Sequence, residues 1–299
     1  MNQKSTSATT SKSKARPKTT RLPRGKAPTA ARRPKSRPDV FVLYERAVQS
    51  PVLHVELFHQ MYSTVRPGKK ARSLREDFCG TFAISCAWVA SEEGNTAVGV
   101  DLDGPTLESG RKRNLSLLTS SQQARVQILQ ANVLEVKPKA ADVLAVCNFS
   151  FYIFKQRRLL LDYFRACLRG LAKDGVLVLE MSGGPGMVET TRDHKRIRRK
   201  DMQPYQYTWD QKSFDPITNE AHYAIHFRMA DGTVIRDAFT YDWRLWTIPE
   251  VLELLEEAGF SKGVVFWEKE IDGEGTGEYV PTEKGTNDYS WCAYIAGLR

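Results

Sequence analysis

Three groups of residues in this sequence combine types and spacing that suit chemistry. The first is Leu74-Arg75-Glu76-Asp77-Phe78-Cys79-Gly80-Thr81, which joins an apolar, strand-like run to an apolar, helix-like one. Such a loop lies in the crevice outside the carboxyl ends of parallel strands, where open α/β sheets bind adenosine-containing ligands. Gly80 is its single glycine, so the GxGxxG dinucleotide fingerprint is missing, and no Gly-Lys-Ser or Gly-Lys-Thr follows. A phosphate-cradling loop is thereby disfavoured. The second group is Val98-Gly99-Val100-Asp101, with Asp101 21 residues beyond Gly80. An acid at the end of a second strand can accept both hydroxyls of a ribose. It can also be a turn or capping acid ahead of Pro105, a role open to Asp103 as well; the context favours the ribose. The third group, Asn148-Phe149-Ser150-Phe151-Tyr152, follows a fourth apolar run. An amide and backbone carbonyls there can hold a nucleophile's hydrogens so that its lone pair points at an electrophile, which makes Asn148 and Tyr152 candidate catalytic groups. A satisfied turn residue at a strand end is the competing role for Asn148.

Aromatic residues gather later in the chain. Phe239, Tyr241 and Trp243 alternate onto one face of a strand, with Arg244 and Trp246 on the other. A ring face beside a cation contributes on the order of 0.5 to 2 kcal/mol, and a stripe of this kind is also the ordinary packed face of a sheet. Phe151, Trp243, Arg244 and Trp246 are the candidate substrate contacts. His222 and His226 fall on the polar face of a hairpin and read as solvated, and the acids around them have no metal-ligand spacing. The five cysteines, Cys79, Cys86, Cys147, Cys167 and Cys292, form no CxxC pair, so the expectation is no metal, no disulfide framework and a reducing compartment.

The elements that must position these groups alternate. Short apolar runs at Ser73 to Phe78, Ala97 to Asp101, Val126 to Gln130, Val143 to Cys147 and Val176 to Glu180 read as strands. Helical spacing marks Phe82 to Ala90, Pro105 to Leu118 and Arg157 to Leu171, and in the last Leu160, Phe164, Cys167, Leu168 and Leu171 make one buried face. Ser50-Pro51 reads as the start of a further helix lying on the domain. Alternation of this kind implies right-handed crossovers and a parallel, doubly wound sheet. Residues 205 to 246 then switch to period two, and Asp231-Gly232 sits where a hairpin turn belongs. We read residues 185 to 246 as an antiparallel insertion. Pro249 to Ala258 is a helix ended by Gly259, and Val264 to Trp267 and Trp291 to Ala296 close the sheet. The predicted fold is α/β: a Rossmann-like, seven-stranded, mostly parallel sheet with an antiparallel β insertion acting as substrate cap.

At these residues the chain resembles the class I S-adenosylmethionine-dependent methyltransferases. Glu76-Asp77-Phe78-Cys79-Gly80-Thr81-Phe82 matches the family's acid-x-Gly-x-Gly-x-Gly loop at Glu76 and Gly80, while Phe78 and Phe82 stand at the other two glycine positions. Val98 to Asp101, Gln130-Ala131-Asn132-Val133, Asp142 to Phe151 and Leu245 to Glu250 through Ala258-Gly259-Phe260 fall in the family's order, so the resemblance covers about residues 70 to 299. It implies S-adenosylmethionine as cofactor and S-adenosylhomocysteine as product. It also implies Glu76 to Thr81 near the methionine moiety, Asp101 and Leu102 at the ribose, Asn132 and Val133 at the adenine, and Asn148 facing the transferred methyl. The family has Asp where this chain has Asn132, whose amide oxygen can still accept from an adenine amino group; a turn role for Asn132 stays open.

Charge is concentrated at one end. Residues 1 to 39 hold six Lys and six Arg against Asp39 alone, leaving 32 bases and 34 acids in residues 40 to 299, so the formal +9 belongs to the tail. That tail has almost no large apolar residues and reads as disordered. No run approaches a membrane span and no secretory signal opens the chain, so a soluble, cytoplasmic protein is expected. Three functions follow: methyl transfer to a small-molecule acceptor, favoured by the slightly acidic, aromatic-rich body; methyl transfer to RNA, DNA or a ribosomal protein, supported by a tail that can bind nucleic acid nonspecifically; and non-catalytic binding on a degenerate Rossmann core, supported by the missing glycines.

Overall fold

The computed structural model describes residues 39–271 and 274–299, and the N-terminal tail expected to be disordered lies outside them. The helices are α1 (Val40–Val48), α2 (Pro51–Val65), α3 (Ala83–Ser91), α4 (Gly104–Arg113), α5 (Ser120–Gln123), α6 (Arg157–Gly170) and α7 (Ile248–Ala258). The strands are β1 (Ser73–Asp77), β2 (Thr96–Asp101), β3 (Val126–Gln130), β4 (Ala141–Val146), β5 (Leu171–Gly183), β6 (Arg192–Arg199), β7 (Met202–Asp215), β8 (Glu220–Met229), β9 (Val234–Arg244), β10 (Lys262–Ile271), β11 (Glu274–Pro281) and β12 (Trp291–Leu298).

The large sheet runs β11-β10-β12-β5-β4-β1-β2-β3. Strands β1 to β5 pair in parallel, and β12 enters antiparallel between β5 and β10. It has eight strands where seven were expected. The extra one, β11, folds back antiparallel on β10 at the edge. Its Gly-Thr-Gly-Glu stretch, residues 275–278, is exposed and carries no apolar alternation, so nothing in the pattern marks it as a strand.

Both faces of this sheet are covered, which is why its inner strands are continuous apolar runs. On one face α2 and α3 pack Phe58, Met61 and Trp88 onto Leu74, Val143 and Val178. On the other, α6 and α7 bring Leu160, Phe164, Val251 and Leu254 onto Leu144, Val146, Leu177 and Leu179. Helix α7 starts with a capping box between Thr247 and Glu250 and stops at Gly259, whose φ of 101° closes the turn. The insertion is a separate four-stranded antiparallel sheet, β6-β7-β8-β9, turning at Asp231-Gly232. A register shift between Ile225 and Phe227 swings His226 inward. The expectation of a solvated His226 therefore fails: its Nε2 lies 3.0 Å from Oδ2 of Asp210 and its Nδ1 accepts from the Asp237 N–H at 2.8 Å. His222 stays half exposed beside Asp242.

Candidate active site

Strand order reverses between β1 and β4, and the chain leaving β1 there is the Glu76 to Phe82 loop. Its backbone is left-handed at three places: Phe78 (φ 56°), Gly80 (φ 52°) and Phe82 (φ 46°). Such angles suit glycine and cost a bulky residue on the order of 1 to 3 kcal/mol. Both phenylalanines are held there by packing. Phe82 is fully buried with Cys79, Cys86 and Leu107, and a Cβ on Gly110 would come within 2.5 Å of its ring. Phe78 packs edge-on against Phe154 and Tyr163.

Asp101, ending β2, faces this loop. Its Oδ2 accepts from the Gly80 N–H at 2.8 Å and its Oδ1 from the Asp103 N–H at 2.9 Å, so each oxygen has one partner and a lone pair to spare. Asp103 takes the helix cap, accepting from the Thr106 N–H. The helix cap thus falls to Asp103, while Asp101 closes the turn before it.

Above Asp101 lies a cavity of about 250 Å³, floored by Phe78, Gly80, Thr81 and Thr106 and roofed by Phe41 and Tyr44 of α1 with Phe239, Tyr241 and Trp243 of β9. Ser150, Ile153 and Gln49 close its sides. The Oε1 of Gln49 is buried there without a hydrogen-bond partner among the described residues. Burial pushes the Tyr44 phenol up to about 12, so it remains neutral. Helix α1 is tied to the loop through Glu45, which accepts from the Thr81 hydroxyl, from Asn114 Nδ2 at 3.0 Å and from Arg113 Nη2 at 3.2 Å. Phe41, Tyr44, Gln49, Ser150 and Ile153 were missed in the sequence; the available signal was the spacing of Val40, Phe41, Leu43, Tyr44 and Ala47.

No protein-family profile and no curated protein sequence matches the chain. Solved structures do. The amino pentose methyltransferase CalS10 from Micromonospora echinaspora, determined with S-adenosylmethionine bound, superposes with a TM-score of 0.62 at 14% identity, over 89% of this chain and 100% of that one. The sugar N-methyltransferase KedS8 from Streptoalloteichus gives 0.60 at 18% identity, over 92% and 99%. A Clostridium acetobutylicum S-adenosylmethionine-dependent methyltransferase gives 0.61 at 13% identity, over 86% and 96%. This is the class I methyltransferase fold.

Within the class I fold, the predicted residues sort into those at the crevice and those behind it. Phe78, Gly80, Thr81, Asp101 and Trp243 meet at the cavity. Leu102 stands beside Asp101 with 65% of its surface exposed. Cys79 contributes backbone only, since its thiol is buried against Gly99 and burial pushes its pKa up. Glu76 is buried and its Oε2 accepts from the Ser85 N–H and hydroxyl; burial raises its carboxyl to about 7. Asn132 makes a turn, its Oδ1 accepting from the Leu134 N–H at 3.0 Å, and Val133 is buried.

Five predicted residues are corrected. Asp77 is not at the cofactor crevice: it is buried in a bidentate ion pair with Arg75 (2.7 and 3.0 Å) and accepts from the Tyr163 hydroxyl at 2.9 Å. Tyr152 is fully buried with its hydroxyl donating to the Ser182 carbonyl at 2.8 Å, and burial pushes its pKa up, so the phenol keeps its proton and is not a general base. Phe151 packs edge-on to Tyr152 and beside Phe164 in the core. Arg244 and Trp246 form a strut that explains both away as substrate contacts: the guanidinium stacks 3.8 Å over the indole, donating to the Lys155 carbonyl and to Glu250, while the indole N–H donates to the Phe154 carbonyl. Asn148 is left-handed (φ 54°), and its N–H donates to Oε2 of Glu180 at 2.6 Å.

Proposed function

We propose that this protein transfers the methyl group of S-adenosylmethionine to a small-molecule acceptor, an amine first. The observation that carries the reading is the open, aromatic-lined cavity directly above Asp101 and the left-handed β1 loop. The residues suit the cofactor: Asp101 has lone pairs for two ribose hydroxyls, Leu102 offers an exposed apolar face beside it, and the rings of Phe41, Tyr44 and Phe239 would face a sulfonium. When bound, that cofactor supplies an electrophilic methyl group. The chain's own part is alignment and exclusion of water. The buried, unpartnered Oε1 of Gln49 would accept an N–H or O–H from the acceptor and orient its lone pair. The amine is taken first because one of the similar structures is named a sugar N-methyltransferase and another an amino pentose methyltransferase. The N-terminal tail would serve nonspecific contact with nucleic acid. Non-catalytic binding on a degenerate core loses its ground, since Phe78 and Phe82 keep the backbone angles that the missing glycines would have supplied.

Calorimetric titration with S-adenosylhomocysteine tests the reading. Wild type should bind it, and Asp101→Ala should bind roughly tenfold to a hundredfold more weakly, the loss of about 1.5 to 3 kcal/mol of charge-assisted hydrogen bonding. Undiminished binding by Asp101→Ala, or a preference for NAD, would overturn it. Labelled cofactor offered with small amines and with RNA then separates the two acceptor classes.

A further inference from the structure

Behind the turn that follows β4 lies a buried cluster with no part in the cavity above. His54 of α2, Cys147 after β4 and Glu180 of β5 are all buried, and their ligand-type atoms, Nε2, Sγ and a carboxylate oxygen, lie within 4.8 Å of one another. The His54 and Glu180 side chains are 10% and 11% exposed. We propose that this cluster is a structural metal site for a divalent cation of borderline softness, zinc above all.

The argument starts at the imidazole. Nδ1 of His54 lies 3.0 Å from the Ser50 carbonyl oxygen, an acceptor only, so that nitrogen carries the proton. In the neutral ring the lone pair is then on Nε2, which is buried with no hydrogen-bond partner among the described residues. A ring whose far nitrogen is fixed by a backbone carbonyl is how metal-binding histidines are held. Oε2 of Glu180 stands 3.7 Å from Nε2, within ion-pair reach of a protonated ring and beyond hydrogen-bond length for a neutral one. It is close to a ligand-to-ligand edge: tetrahedral zinc with bonds of about 2.0 to 2.3 Å has edges of about 3.3 to 3.8 Å.

The carboxylate is held from its outer side in the same manner. Oε2 of Glu180 accepts from the Asn148 N–H at 2.6 Å, and Oε1 accepts from the Tyr294 hydroxyl at 3.3 Å. Cys147 supplies a thiolate, the ligand that draws zinc most strongly among hard and soft alternatives, and binding would release its proton. Cys292, with Sγ 3.8 Å from Oε1 of Glu180, is next in reach for the fourth position. His, Cys and carboxylate are a zinc ligand set. Without the ion, the carboxylate keeps its outer partners Asn148 and Tyr294, but the buried Nε2 of His54 has none at hydrogen-bond distance among the described residues, an arrangement that costs free energy. With it, α2, β4 and β5 are joined just beneath the Asn148 turn. No CxxC pair signals the site, because its ligands come from four separate elements.

The test uses the full chain, free of any added histidine tract, with zinc and cobalt(II) salts as probes under a thiol-free reductant. One equivalent of zinc should survive dialysis, and cobalt(II) should give a thiolate-to-metal charge-transfer band with tetrahedral ligand-field absorption. Cys147→Ser should abolish that band. His54→Gln should weaken binding by more than the roughly 10- to 100-fold that loss of an outer-sphere partner costs. Thermal midpoints of the metal-free variants identify any that fail to fold. In that event alkylation of Cys147 in wild type decides, since bound zinc should slow it. Less than one equivalent of zinc on wild type, a cobalt spectrum without the thiolate band, unprotected Cys147, or a folded Cys147→Ser that binds as tightly as wild type would each overturn the site. Metal content is read without cofactor or acceptor, so these outcomes are independent of the methyl-transfer reading.

Discussion

Two acids two dozen residues apart, both drawn from the same loop-and-strand pattern, turn out to do opposite work. Asp101 ends its strand at the open crevice with spare lone pairs, whereas Asp77 is sealed against Arg75 and Tyr163. Removing one member of a buried pair leaves an uncompensated charge and costs about 3 to 5 kcal/mol. Asp77→Ala should therefore lower stability by that amount in urea unfolding, while Asp101→Ala, which frees only the Gly80 and Asp103 N–H groups at a part-exposed loop, should cost less, about 1 kcal/mol, and show chiefly in ligand affinity. If Asp77→Ala unfolds like wild type, the buried pair has been misassigned. The sequence could not separate the two, because alternation along β1 says only that neighbouring residues point to opposite faces, and both faces of this sheet are covered. Both acids end their strands; the Arg75 guanidinium occupies the carboxylate of Asp77, while that of Asp101 meets only backbone N–H groups and keeps lone pairs free. The glycine positions teach a related lesson. Phe78 and Phe82 read as departures from a glycine-rich loop, yet the loop keeps left-handed angles at both, the cost being offset by the packing of the buried Phe82 ring and the partly buried Phe78 ring. Glycine is the cheapest occupant of such a backbone and not the sole one.

At the scale of elements, those whose apolar residues face a core were readable and those held by polar anchors or charge were not. Strands β1 to β5, helix α6 and the capped α7 follow from periodicity and end signals. Helix α1 did not, although it roofs the cavity. It is nine residues long, and what fixes it is Glu45, bonded to Thr81, Arg113 and Asn114, partners that lie 36 to 69 residues away in the chain. Strand β6 was missed for a different reason: Arg192 to Arg199 is exposed except for Ile197, so it shows charge where alternation was sought. The anchoring of α1 can be tested. Glu45→Ala leaves Asn114 and Arg113 without this acceptor and should reduce the local stability of α1 by about 1 to 3 kcal/mol. Amide hydrogen exchange across residues 40 to 48 should quicken roughly ten- to hundredfold, with the amides of β4 unchanged. Unaltered protection of α1 would mean that its apolar face, Leu43 against Ile197 and Tyr205, suffices to hold it.

Charge is a property of the whole molecule, and here its distribution decides what a surface measurement would report. Residues 1 to 38 carry twelve bases and no acid, so deleting them takes the formal charge from +9 to −3. A net negative surface repels phosphate, and counterion release requires bases that reach it. If the full chain neutralises four phosphates on duplex DNA, the logarithm of its affinity should fall against the logarithm of salt with a slope of about −3.6. Within the described residues the densest basic segment is β6 and the turn after it, where Lys195, Arg196, Arg198 and Lys200 are exposed. Arg192 is paired with Asp210, and the Arg199 guanidinium donates to the Arg46 carbonyl, so both are already engaged. Fluorescence anisotropy over a salt series, on the full chain and on a chain lacking residues 1 to 38, distinguishes the two sources of charge. The expected result is that deletion reduces the slope to about −1 or shallower while S-adenosylhomocysteine affinity is retained, which assigns nucleic-acid contact to the tail and leaves the cavity to a small acceptor. A slope that stays near −3.6 after deletion would place the contact on β6 instead, and reversing Arg196 and Arg198 to Glu should then abolish it. That outcome would move RNA or DNA ahead of a small amine as the methyl acceptor, because the body of the protein would itself be reading a phosphate backbone.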